Sequence, residues 1–86
     1  MHELSVALEV CRMAEERLAP DELESLVSVG VEVGDDAGIE LGNLQFCLET
    51  LLATPPFPGA RPVILRQAGD ALRLAYLEVN DGRPHD

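Results

Sequence analysis

Hydrophobic and polar residues alternate most regularly between residues 26 and 33. One side carries four β-branched residues and the other carries small or polar ones: Val27, Val29, Val31 and Val33 against Ser28, Gly30 and Glu32. A period of two with β-branched side chains is typical of a strand with one buried face. We therefore predict a strand over residues 26–33, with the valine side in the core.

Two other segments repeat their apolar residues every three to four positions, which predicts amphipathic helices over residues 4–18 and 40–53. The stripe of the first helix is Leu4, Leu8, Cys11, Ala14 and Leu18, with Ala7 beside it. The stripe of the second is Leu41, Leu44, Cys47, Leu48, Leu51 and Leu52, widened by Phe46. Pro20 limits the first helix because the residue before a proline disfavours helical backbone. Residues 21–24 are either a polar connection or one extra helical turn.

The last third of the chain predicts two short strands, over residues 62–67 and 72–79, separated by a tight turn at 68–70. The alternation of the strand over 72–79 is imperfect around Tyr76, which indicates either a bulge or two partly covered faces. Residues 80–86 are polar and predict a flexible tail.

The order of elements is α-β-α-β-β. A strand, a helix and a further strand favour a parallel crossover, and the short turn at 68–70 favours an antiparallel hairpin. The two helices then need the same apolar sheet face. We predict one α/β (α+β) domain over residues 1–86, a two-layer sandwich of a three-stranded mixed sheet with both helices on one face. Its core is small, so a homodimer is a reasonable expectation.

Composition narrows the partners of this domain. The 86 residues include 16 acidic and 6 basic side chains, for a net charge of −10. The excess of acid argues against binding to nucleic acid and to anionic membrane surfaces, and it suits basic proteins or cations. We recognise neither a membrane span nor a secretion signal, and we expect a cytoplasmic protein. Cys11 and Cys47 are expected to be reduced and buried, with a redox pair across the helices as the alternative.

The first three residues, Met1, His2 and Glu3, carry the most specific chemistry. The Met1 amine, the His2 amide nitrogen and the His2 imidazole can close two adjacent chelate rings on one metal ion. The Glu3 amide completes a plane of four nitrogens, which suits Ni(II) or Cu(II), and the Glu3 carboxylate could add a further contact. Taken alone, a histidine at position 2 is weak evidence for a metal site and is better explained by a frayed terminus with a solvated imidazole.

Several segments, in order along the chain, resemble the hydrogenase nickel-incorporation proteins of the HypA/HybF family. They are MHELS at 1–5, VEVG at 31–34, LQFCLE at 44–49, GDALRL at 69–74 and LEV at 77–79. Members of that family are small cytoplasmic metallochaperones. They carry Ni(II) at an N-terminal Met-His-Glu site and help to insert it into [NiFe]-hydrogenase, and in some organisms into urease, together with a nickel-handling GTPase.

The resemblance implies that Met1, through its amine, His2 and Glu3 are nickel-binding positions here. It also implies that the partners are the hydrogenase large subunit and a nickel-handling GTPase maturation factor. The function expected from it is binding and delivery of Ni(II), not catalysis. Recognisable nucleophile and phosphate-loop arrangements are absent from the sequence, which agrees with a protein that is not an enzyme.

The chain departs from the family pattern in one respect. The family normally carries a zinc domain with two Cys-x-x-Cys pairs between its last two strands, whereas residues 67–70 here are a bare turn. A closed structural zinc site takes four ligands, so we predict no zinc. Two alternatives follow from this difference: a metal-free docking or regulatory module that keeps the family fold, and a relative that serves a different metal. His85 could add a metal contact, or it is a solvated tail residue.

Overall fold

The computed structural model describes residues 2–80 and 84–85 of the chain. In chain order its elements are α1 (Glu3–Arg17), α2 (Pro20–Glu24), β1 (Leu26–Gly34), α3 (Leu41–Leu52), β2 (Arg61–Gln67), β3 (Leu72–Val79) and β4 (Pro84–His85). The two long helices and the three longer strands lie within one residue of their predicted bounds, so the α+β class is confirmed. The segment at 21–24 belongs to a short helix, α2, which Pro20 begins because its fixed φ suits the first helical position.

The sheet has the strand order β2-β1-β3-β4. β1 runs parallel to β2, with Val29 opposite Pro62, and antiparallel to β3, with Val29 opposite Leu77. The mixed sheet and the parallel pairing of β1 with β2 are therefore confirmed. The predicted hairpin of β2 with β3 is wrong, because both strands pair with β1 and lie on opposite sides of it.

The short connection between β2 and β3 does not indicate that β1 lies between them. Residues 68–71 pass over the carboxyl end of β1, a distance of two strand spacings or roughly 10 Å, which four residues can span. The crossing is fixed by backbone hydrogen bonds: the Gly34 amide donates to the Ala71 carbonyl (2.6 Å) and the Asp36 amide to the Gly69 carbonyl (2.8 Å). A Cβ atom at Gly34 would lie 2.2 Å from the Gly69 carbonyl oxygen. Gly34 is therefore needed for this close approach.

The outer edge of β3 is covered by a fourth strand. Leu77 pairs with His85 and Glu78 with Pro84, in antiparallel register. Pro84 and His85, which belong to the predicted tail over 80–86, thus add a short fourth strand to the predicted three-stranded mixed sheet. The physical reason is that strand pairing satisfies the unpaired backbone groups at the edge of β3, whatever the side chains are. Residues 81–83 and 86, which were also assigned to the tail, lie outside the described residues.

The core lies between the sheet and the two long helices. Its largest fully buried side chains come from β1, α3 and β3: Val29, Val31, Val33, Leu44, Leu48, Leu52 and Leu77. The register of β1 with β3 shifts between Leu26 and Ser28, and Val27 is 38% exposed whereas Leu26 is 4% exposed. The prediction that Val27 shares the buried face is therefore wrong, because the irregular register breaks the alternation there.

The register shifts a second time at Tyr76. Gly30 pairs with Tyr76, but Val31 pairs with Leu74, so Ala75 is an extra residue and the predicted bulge is confirmed. The Tyr76 ring lies against Gly30, where a Cβ atom would meet the ring carbon Cε2 at 2.2 Å. The side of the sheet away from the helices is thus covered in its centre by an aromatic ring packed on a glycine.

The first helix is rotated about its axis relative to the predicted stripe. It buries Val6, Ala7, Val10, Cys11 and Ala14. Leu4 and Leu8 are 45% and 51% exposed, and Phe46 on α3 is 65% exposed. Both Val6 with Val10 and Leu4 with Leu8 have helical spacing, so the pattern alone did not decide which pair faces the sheet.

The two thiols differ in their surroundings. Cys11 is buried and Cys47 is partly buried, and both are free. Burial, together with the nearby Glu15 carboxylate, raises the pKa of the Cys11 thiol to about 11. The expectation of a buried residue therefore holds for Cys11 and holds in part for Cys47, and their reduced state stays a prediction. No helix in the part of the chain that the structure describes is long and apolar enough to cross a membrane.

Candidate metal centre at the first turn of α1

The chain enters α1 through His2, which is exposed and precedes the first helical residue. Its backbone is extended, with φ −85° and ψ 123°, and its carbonyl accepts the Val6 amide at 3.2 Å. The first amide groups of an α-helix have no acceptor within the helix. The amide nitrogen of Glu3 is therefore not committed to the helical hydrogen-bond ladder. Met1 lies outside the described residues.

The carboxylate of Glu3 is held by the start of α3. It accepts the Glu40 backbone amide at 3.1 Å and the Asn43 side-chain amide at 2.9 Å. These hydrogen bonds, first from Asn43 and then from Glu40, hold the pKa of the Glu3 carboxyl below its usual range, and the neighbouring His2 contributes. The charge also lies at the positive ends of two helix dipoles.

The same contacts position the first turn of α3. The Glu40 carboxylate accepts the Asn43 backbone amide, so Glu40 caps α3 while its own amide donates to Glu3. Asn43 therefore contacts both carboxylates, one through its backbone and one through its side chain. We call Glu3, Glu40 and Asn43 the helix-start clamp. It joins the two helix starts at one end of the molecule.

The structure describes two of the three residues predicted to bind metal, and their role in metal binding stays a prediction. His2 and Glu3 are adjacent at the start of α1, with the imidazole exposed and the carboxylate turned towards α3. Among residues 2–80 and 84–85, no three His, Cys, Asp or Glu side chains form a group that could hold a metal ion. A chelate built from an amine, backbone amides and one imidazole does not require such a group.

Glu40 and Asn43 were not predicted as parts of this site. The residue pattern predicts the start of α3 near residue 40 but gives no reason for Glu3 to reach it. The sequence does carry a local signal for the cap of α3. A residue just before a helix whose side chain can accept the amide of the third helical residue is a capping pattern. Contact with Glu3 depends on packing across about 40 positions of the chain.

Three further acidic residues and Cys11 do not join this site. Asp35 pairs with Arg66 at 3.0 Å on the surface, and Glu9 and Glu16 both pair with Arg12 on α1. Cys11 lies in the core. The side chain of His85 lies outside what the structure describes, so its expected place as a solvated tail residue, with an extra metal contact as the alternative, stays a prediction.

These observations define a small two-layer α+β domain with an exposed histidine at the entry to its first helix and a carboxylate clamp beside it. The family model described as hydrogenase/urease nickel incorporation, metallochaperone, hypA matches residues 1–74. The chain belongs to this family, which confirms the resemblance that the sequence segments indicated.

Curated relatives agree with the family model. The chain is 34% identical over 71 residues to hydrogenase maturation factor HypA of Azotobacter chroococcum mcd 1, covering 83% of this chain and 63% of that protein. It is 31% identical to the Azotobacter vinelandii factor over the same shares of each chain. The factor of Albidiferax ferrireducens is 30% identical over 78 residues, which are 91% of this chain and 69% of that protein. The match to the two Azotobacter proteins thus spans less than two thirds of their length.

Proposed function

We propose that this chain is a nickel-binding accessory protein for the maturation of [NiFe]-hydrogenase and that it binds Ni(II) through Met1, His2 and Glu3. The observation that supports this most directly is the position of His2 and Glu3 at the start of α1. There the amide nitrogens have no helical acceptor and the imidazole is exposed. The family to which the chain belongs is described by nickel incorporation, which favours nickel as the metal.

In this proposal the ligands are mostly nitrogens of the chain terminus. The Met1 amine, the amide nitrogens of His2 and Glu3 and the His2 imidazole form a plane, an arrangement that suits Ni(II). The Glu3 carboxylate stays in the helix-start clamp, where it already accepts two hydrogen bonds. Its role is then to hold the chelating segment against α3 and to keep a negative charge beside the cation.

Proton competition provides the route for loading and release. The amine, the amides and the imidazole must lose protons to bind Ni(II), so nickel affinity should fall as the pH falls. Because the chelate sits at an exposed end of the helical layer, an acceptor site can exchange ligands with it without unfolding the domain. We propose that the acceptors are the hydrogenase large subunit and a nickel-handling GTPase in the cytoplasm.

The chain is proposed to act without zinc and without catalysing a reaction. Its two cysteines, Cys11 on α1 and Cys47 on α3, are too few for a closed site of four thiolates. Metal analysis of protein purified without added metal tests this, because a structural zinc site would retain one equivalent of zinc.

Calorimetry with untagged protein at neutral pH tests the nickel site. We expect one Ni(II) per chain for the wild type and at least about a hundredfold weaker binding for His2→Ala, since the imidazole closes one of the chelate rings. His85→Ala is the matched control, because it removes the only other histidine and should leave nickel binding unchanged. An N-terminal extension should abolish binding by moving the amine away. Equal binding by the wild type and His2→Ala would exclude this site.

A metal-free docking or regulatory module is the second candidate. It is favoured by the missing zinc domain, whose place in the family pattern is taken here by the bare turn at 67–70. In that case, purified hydrogenase maturation partners should bind the wild type and His2→Ala equally, and hydrogenase activity in a His2→Ala strain should match the wild type. Loss of activity in that strain, restored by added nickel, would favour the metallochaperone.

A further inference from the structure

A groove with an apolar floor lies between the second half of α1 and the segment that follows α3. It has a volume of about 390 Å³. Its apolar lining is Leu8, Cys11, Leu51, Pro55, Pro56 and Phe57. Arg12, Glu15 and Glu16 lie along the α1 side. None of these residues belongs to the helix-start clamp, so the groove is separate from the proposed nickel site.

Leu8 makes the groove part of a longer apolar surface. It is 51% exposed, and Leu4, one helical turn earlier, is 45% exposed. Residues four positions apart on a helix are neighbours on its surface, so Leu4 and Leu8 continue the line of the groove towards the start of α1. From Leu4 to Glu15 this surface is about 16 Å long at the rise of an α-helix. We call it, together with the groove, the α1 groove surface.

The charge beside the groove is negative. Arg12 is engaged by Glu9 and Glu16. No salt bridge among residues 2–80 involves Glu15, and its charge is close enough to Cys11 to contribute to the raised pKa of that thiol. Residues 3–24, which form α1 and α2, carry seven acidic and two basic side chains. An apolar surface with an acidic margin is complementary to an apolar ligand with basic margins.

We propose that the α1 groove surface binds a basic amphipathic helix of a partner protein, with leucine-like side chains in the groove and Lys or Arg opposite Glu15. The length of the surface suits about three turns of helix, and an amphipathic helix lying in a groove is a common mode of recognition. A second copy of this chain fits less well. A two-fold contact places the same surface of both copies together, which brings like-charged carboxylates into contact.

The test uses the full chain without metal and two synthetic helical peptides of about 15 residues, long enough to follow the surface. Both carry leucine at helical spacing, and the remaining positions are lysine in one peptide and glutamate in the other. We expect the lysine peptide to bind at least about tenfold more tightly than the glutamate peptide. Amide shifts in NMR spectra should map to the groove, including Leu51 and Phe57.

Three variants locate the contact. Leu8→Glu should weaken binding of the lysine peptide at least about tenfold, because a carboxylate replaces the central apolar side chain. Glu15→Gln, which changes an exposed position and should not disturb folding, should weaken binding about threefold and reduce its dependence on salt. Leu65→Glu is the matched control, since Leu65 is 36% exposed on β2, outside the groove, and its change should leave affinity unaltered.

Two outcomes would overturn the proposal. If Leu8→Glu binds the lysine peptide as tightly as the wild type, attraction to the net negative charge alone explains the binding. If the wild type dimerises and Leu8→Glu is monomeric, the groove serves a second copy. Because the experiment contains no metal, either failure leaves the nickel site untouched.

Discussion

Glu3 has two separable roles at the start of α1. Its backbone nitrogen belongs to the proposed chelate, whereas its carboxylate accepts hydrogen bonds from Glu40 and Asn43. A substitution that removes the charge but keeps the backbone therefore tests the carboxylate by itself. The sequence predicted Glu3 as a metal residue but not its bond to Asn43, because only packing brings positions 3 and 43 together.

Glu3→Gln should lower the melting temperature at pH 7 and should change how stability depends on pH. The clamp depresses the folded-state pKa of the Glu3 carboxyl. Its contribution is therefore present above the unfolded-state pKa of about 4.3 and is lost as the pH falls through the lower folded-state value. The melting temperatures of the wild type and Glu3→Gln, measured from pH 7 to pH 2.5, should differ at neutral pH and converge in acid.

Glu24→Gln serves as the control for this measurement, because Glu24 is exposed on α2 and takes no part in the clamp. At the lowest pH values, the melting temperature of Glu24→Gln should change with pH as that of the wild type does. A constant difference between wild type and Glu3→Gln across the whole range would contradict a charge-dependent clamp.

The elements of the fold follow closely from residue patterns, but their neighbours in the sheet do not. Periodicity located α1, α3 and the three longer strands because side-chain spacing reports which face of an element is buried. Pairing depends on backbone hydrogen bonds that every sequence offers. For that reason the position of β1 between β2 and β3, and the addition of β4, appeared only in the structure.

Gly34→Ala should be strongly destabilising. Its Cβ atom would lie 2.2 Å from the Gly69 carbonyl oxygen and 2.8 Å from the Ala71 nitrogen. Both are backbone atoms of the crossing connection, so relief requires movement of the chain and a cost of about 1–3 kcal/mol or more. Urea unfolding of the variant measures this cost as a lower midpoint.

Gly42→Ala is the matched control for this prediction. Gly42 is in α3, and a Cβ atom there would approach only the far end of the Glu40 side chain, at 3.2 Å. Alanine is favoured over glycine in a helix by about 1 kcal/mol, which offsets the small shift required of the Glu40 carboxylate, so this variant should lose far less stability than Gly34→Ala. If Gly34→Ala behaves in the same way, the connection is not held against β1 as described.

At the scale of the whole molecule, the charge of −10 is unevenly distributed. Residues 3–24 hold seven of the 16 acidic side chains, whereas Arg61, Arg66 and Arg73 lie on the strands. Glu32 pairs with Arg73, and Asp35 with Arg66, so part of the charge on the sheet layer is neutralised. The helical layer therefore carries the greater part of the repulsion within the folded state.

Added salt should stabilise this protein. Screening reduces repulsion between surface carboxylates once the Debye length falls below about 10 Å, near 0.1 M ionic strength. We expect the melting temperature to rise by several degrees between about 0.01 M and 0.3 M sodium chloride. Glu15→Gln should show a smaller rise, since it removes one charge from the acidic layer. A melting temperature that falls with salt would mean that the salt bridges outweigh the repulsion.

Net charge also limited what the sequence could predict about binding surfaces. The excess of acid argued against nucleic acid and left basic proteins as suitable partners. It could not show where on the surface such a partner binds. Leu4 and Leu8 belonged to the predicted buried stripe, and their exposure depends on the rotation of α1 over the sheet. The α1 groove surface is thus a property of packing, whereas the proposed chelate is a property of three consecutive residues.

The crossing connection at 68–71 lies at the carboxyl end of β1, and the chain leaves that end for α3, whose first turn is joined to Glu3. Gly69 and Asp70 are exposed there. A domain inserted between these two residues during evolution would leave β1, β2 and β3 paired as they are. It would emerge from the same end of the molecule as His2, so a gain or loss of such an insert would change what surrounds the proposed metal-binding residues without rebuilding the sheet.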